Sequence, residues 1–168
     1  MFELKPLSKN AIPAALAKAE RYRLLNQPMQ AASICEDILR ADPDRHDALV
    51  ILLLSLTEQF SESDNGAALS KAHDLIPHLP TDYERAYYSG IICERRAWAL
   101  LVHASPGAGF LAYDWLRDAM NWFERAEEHR PPDNDDAILR WNACARMLMR
   151  NPHLHSRSEE RNMPISLE

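Results

Sequence analysis

Proline, set at intervals along a chain otherwise rich in helix formers, limits what these 168 residues can fold into more than any other feature. Its ring cannot continue a helix, and it pushes the preceding residue out of the α region. Pro28, Pro43, Pro80, Pro131 and Pro152 therefore divide the sequence into blocks, and within each block the apolar residues recur at helical spacing. The spacing predicts helices over about 12–25, 29–41, 46–60, 67–79, 82–103, 110–130 and 133–150. Asp44 is the expected N-cap of the third helix and Thr81 or Asp82 that of the fifth, with Glu84 in its first turn, where the helix dipole favours a carboxylate. The polar run Ser61 to Gly66 and the stretch Ser105 to Gly109 are expected loops. No segment alternates with period two for long enough to be a strand, so the fold class is all-α.

Composition supports the same exclusions. Eleven prolines stand against four glycines, so the αL turns and tight hairpins that glycine supplies are scarce, which argues against β-sandwiches and phosphate-cradling α/β folds. At 46% hydrophobic residues the chain can bury a core. The N-terminus lacks the apolar run and cleavage site of a secretory signal, and the apolar stretches fall far short of the roughly 20 residues that span a membrane. Cys35, Cys93 and Cys144 are odd in number and widely spaced, which fits reduced thiols in the cytoplasm. A net charge of −6 argues against general nucleic-acid binding.

The prolines also carry a register. Ala31, Cys35 and Pro43 share their spacing with Ala68, Ala72 and Pro80 and with Ala119, Phe123 and Pro131. That spacing matches the A-x3-F…P half of the tetratricopeptide repeat, and Ala19 with Tyr22 reproduces the upstream small-residue-to-tyrosine step. Gly90 falls where the small residue of the third unit belongs. On these residues the chain resembles the tetratricopeptide repeat (TPR) family over 12–150. The resemblance implies a right-handed α-solenoid of three antiparallel helix pairs plus a C-terminal capping helix, preceded by an arm over 1–11 and followed by a flexible tail over 151–168. Two departures stand out. Leu53 replaces the small residue of the second unit, and the interval from Pro80 to Pro131 exceeds the family's 34 residues by seventeen. The excess is expected to lengthen the third pair into a long hairpin tipped by the glycine loop.

In TPR proteins the first helix of each pair lines a concave groove that holds a peptide or partner helix. Carried over, that face implies Leu16, Glu20 and Arg23, then Val50, Leu54 and Glu58, then Tyr87, Ile91, Glu94 and Arg95, with Arg140 and Arg146 from the seventh helix. The same residues admit a plainer reading, with Val50, Leu54 and Ile91 as ordinary core and the charges as a solvated face. The family's clamp for acidic chaperone tails needs Asn at the places held here by Glu20, Leu54 and Ile91, so that partner is not expected. Trp98, Leu101, Phe110 and Leu111 flank the hairpin loop, where they pair with one another or form an exposed flap suited to a homodimer.

Nothing in the sequence assembles a catalytic group. The seven histidines are dispersed, no H-E-x-x-H or zinc-spaced Cys/His cluster occurs, and Gly107-Ala108-Gly109 lacks the Lys-Ser/Thr of a phosphate loop. Cys35 and Cys93 occupy aromatic positions of the repeat and read as buried hydrophobes. The expectation is a non-enzymatic scaffold or adaptor for a protein partner, without cofactor or metal. The alternatives are a TPR-type chaperone for an exported or aggregation-prone substrate, or a small-molecule or nucleic-acid site at the arginine-bearing end of the groove.

Overall fold

A computed structural model describes residues 2–61, 66–103 and 105–157. Among these residues the protein is all-helical, with seven α-helices: α1 Ile12–Leu24, α2 Pro28–Ala41, α3 His46–Glu58, α4 Ala67–Leu75, α5 Asp82–His103, α6 Ala108–Glu128 and α7 Asp136–Arg150. None is long and apolar enough to cross a membrane. The expected loop over 62–65 lies outside the described residues, as does the tail over 158–168.

The chain divides into two compact units, Met1–Leu79 and Pro80–Glu168. In the first, α1 packs on α2, α2 on α3 and α3 on α4, and α1 also touches α3. Its core at the N-terminal end comprises Ile12, Leu16, Ile38 and Ala48, with Leu7, Ile34 and Ile51 packed around it. Ala19, Ala31, Cys35, Leu53 and Ala72 are all fully buried. Leu53 of α3 and Ala72 of α4 thus sit inside the packed helix pair, one large and one small.

The second unit is the long α5–α6 hairpin with α7 packed on α6. Gly90 of α5 lies directly under the Phe123 ring of α6: a Cβ added there would stand 2.5 Å from it. Any side chain at residue 90 must displace a phenylalanine that is only 1% exposed. Gly107, at φ 80, supplies the left-handed turn that starts α6.

Helix ends follow the punctuation with instructive exceptions. Pro28 starts α2 at its first position, where the missing N–H costs nothing. Thr81 caps α5 as expected: its Oγ1 accepts the Glu84 N–H at 3.1 Å and its hydroxyl donates to the Glu84 carboxylate at 2.9 Å. Asp44 does not cap α3; Arg45 is the N-cap and makes no side-chain cap bond. The fourth helix tightens into a 3-10 turn over Ile76–His78, because Pro77 has no N–H for an α-helical bond. The seventh begins three residues late: Asp133 sits at φ 61, and the Asn134 side chain accepts the Asp136 N–H at 3.0 Å.

The start of the C-terminal tail is packed. Leu154 is 4% exposed, and residues 153–155 lie on the first turn of α6.

Candidate partner-binding surface

Each unit brings part of the anticipated first-helix face together, and in each the face is tied by an ion pair between the first helix of a pair and the next first helix along the chain. In the first unit Arg23 of α1 donates to Glu58 of α3 at 2.8 Å and to Glu20, one turn earlier on α1, at 3.2 Å. The Arg23 and Glu58 side chains are each about one-fifth exposed and Glu20 twice that. Burial pulls the Arg23 guanidinium down, but the hydrogen bond to Glu20 and the charges of Glu58 and Glu20 outweigh it and hold the pKa above its ordinary value. Val50 and Leu54 of α3 are half-buried, leaving apolar surface beside the pair. Leu16 is not part of this face, since it belongs to the core cluster.

In the second unit the sign is reversed. Glu94 of α5 is 7% exposed and accepts from Arg140 of α7 through both carboxylate oxygens at 3.3 Å. Burial lowers the Arg140 pKa, and the Glu94 charge with the Tyr87 hydroxyl raises it further than burial depresses it. Tyr87 stacks on Tyr83 with ring centroids 5.6 Å apart and meets Phe123 at 5.9 Å, so its ring is fixed by aromatic packing. Tyr83 in turn donates to Asn134 at 3.0 Å, which ties the start of α5 to the turn before α7. Ile91 is 1% exposed and belongs to the core, as the plainer reading held. Arg95 is half-buried, its Nε enclosed without a hydrogen-bond partner, and Arg146 is exposed.

The hairpin residues separate. Trp98 and Leu111 are 47% and 43% exposed, Leu101 is half-buried, and Phe110 is half-buried with His155 set edge-on against its ring. Trp141 of α7 reaches α6 by donating its indole N–H to Glu124 at 2.9 Å.

Sequence reasoning missed a surface cleft between α1 and α2, about 410 Å³ and lined by Lys18, Tyr22, Met29, Gln30, Ser33 and Ile34.

Cys35, Cys93 and Cys144 are buried free thiols, and burial pushes each of them up to about 12, so the thiolate needed for nucleophilic attack is scarce near neutrality. Among the described residues no three His, Cys, Asp or Glu side chains are grouped to hold a metal ion. No protein-family model, curated protein or solved structure matches the chain.

Proposed function

We propose that the chain is a TPR-like helical scaffold without enzymatic activity, which holds a peptide or helix of a protein partner against the first-helix face of each unit. The observation that carries this reading is the recurrence of one design in both units: a small residue, Ala19 or Gly90, followed one turn later by an ion pair that reaches the next first helix. A pair so placed fixes neighbouring helices without filling the surface between them. Half-buried Val50 and Leu54 in the first unit and the enclosed Arg95 with exposed Arg146 in the second then offer the mixture of apolar contact and charge that partner segments use.

The test is charge reversal away from the core. Arg95→Glu/Arg146→Glu is expected to lose partners that the wild type recovers from a lysate, while Lys71→Glu, on the exposed side of α4, retains them. Circular dichroism verifies that all three proteins keep their helicity. Equal recovery by all three overturns the assignment.

A further inference from the structure

The hairpin tip carries a second, separate contact that the repeat pattern does not account for. Beyond α7 the chain turns at Asn151, whose side chain donates to the Met147 carbonyl at 2.8 Å and whose own carbonyl accepts the Leu154 N–H at 2.9 Å. This compact turn delivers residues 153–157 onto the first turn of α6. Leu154 is 4% exposed there. The His155 ring stands edge-on to Phe110 at 5.2 Å and 82°, and the Arg157 guanidinium lies 5.8 Å from the centre of the same ring. Phe110 thus meets two side chains from one short segment, the His155 ring edge-on and the Arg157 guanidinium over its centre.

Gly109 completes the fit. A Cβ at that position would lie 3.2 Å from the His153 carbonyl oxygen and 3.8 Å from Leu154 Cδ2, so the strap runs through the space that a side chain would occupy. Gly109 and Phe110 of α6 therefore meet the strap together, the glycine against the His153 backbone and Leu154 and the phenylalanine ring against His155 and Arg157.

We propose that the tip of the α5–α6 hairpin is a docking site for a short peptide of the form His-Leu-His-x-Arg, and that residues 153–157 are its resident ligand, held in cis and exchangeable for the same segment of a second copy. The strap hangs from α7 by a turn and holds α6 by one buried leucine and one aromatic face. Contacts of that extent open without unfolding the helices. Release uncovers Phe110 beside Leu111 and frees the segment to enter the same site on another molecule, the exchange of an identical element that makes dimers at low cost. This inference stands on the packing of α6 and the strap alone, and survives if the groove assignment fails.

The experiment uses full-length protein and the synthetic peptide of residues 151–157. In Leu154→Asp the strap is expected to leave the site, which is read as trypsin cleavage after Arg157 at least about tenfold faster than in wild type. Added peptide then shifts the amide NMR signals of residues 108–112 saturably. In wild type the tethered strap competes at about millimolar effective concentration, so the same shifts need roughly tenfold more peptide. Gly109→Leu releases the strap and blocks the site together: fast cleavage, no peptide shifts. Should Leu154→Asp lose helicity, Leu154→Ala carries the test without a charge to bury. Unchanged cleavage in the released variants, absent shifts at the vacated site, or equal titrations for wild type and the leucine variant would each overturn the proposal.

Discussion

The two units solve one problem with opposite charges. Each must fix the first helix of a pair to the next first helix along the chain. In the first unit a guanidinium sits at the centre, shared between Glu20 and Glu58; in the second a carboxylate sits at the centre, almost enclosed and held by Arg140. The helix contacts differ in the same direction. Where the first unit sets Ala19 and Cys35 in its α1–α2 pair, the second sets Gly90 directly against Phe123. The second unit has thus traded two small groups for one large ring, and two partly exposed carboxylates for one buried one. Its contacts are fewer in kind and individually larger, so single changes should damage it more.

The largest difference is expected at the ring. Phe123→Ala should destabilise the second unit by about 3–4 kcal/mol, against about 1 kcal/mol in the first for Cys35→Ala, which deletes one sulfur. Chemical denaturation followed by tryptophan fluorescence measures the first, since Trp98, Trp115, Trp122 and Trp141 all belong to the second unit; circular dichroism measures the second. Comparable losses at the two sites would erase the contrast.

Next come the ion pairs. Arg140→Ala leaves Glu94 buried without its cation, a loss of about 2 kcal/mol once the 36% exposure of the arginine is allowed for. Glu58→Ala leaves Arg23 with Glu20 still beside it and should cost about 0.5 kcal/mol. The same denaturation curves check both, and a larger cost at Glu58 would invert the account of which centre is enclosed.

A third contrast follows from alkali. Cys93 and Cys144, pushed from 9.0 to about 12, and Tyr83 and Tyr88, from 10.0 to about 12, lie in the second unit; the first has Cys35. For these acids the folded pKa lies above the unfolded one, so between pH 9 and 12 the folded chain binds more protons. Stability is therefore complete below pH 9 and falls as pH rises toward 12. Hydrogen exchange between pH 9 and 10.5 is expected to open the second unit first; prior opening of the first would contradict the greater thiol and phenol burial in the second.

Much of this was legible in the sequence. The breaks beside Pro28, Pro43 and Pro131 follow from a covalent property that no tertiary contact overrides, and the small positions Ala19, Ala31, Ala68, Gly90 and Ala119 are all buried. The errors lie where a side chain chose between local options. Asp44 was a competent cap left unused, while the turn in which the Asn134 side chain accepts the Asp136 N–H delays the start of α7. What a linear reading could not reach was long-range pairing. Glu94 looked like a surface charge because the arginine that permits its burial lies 46 residues away. The tail read as mobile because nothing in His153-Leu154-His155 announces Gly109 and Phe110 as its neighbours. Ile91 had the right helical phase for a groove, and only the packing of α5 turned it inward.

The most direct test of the interaction-scaffold reading places a photo-crosslinking amino acid at Leu54 or Arg95 on the first-helix faces, and at Lys71 or Arg125 on second helices. The account predicts that a common protein partner is captured from Leu54 and Arg95 and not from Lys71 and Arg125. Capture with equal yield from all four positions, or from the second-helix positions alone, would contradict it.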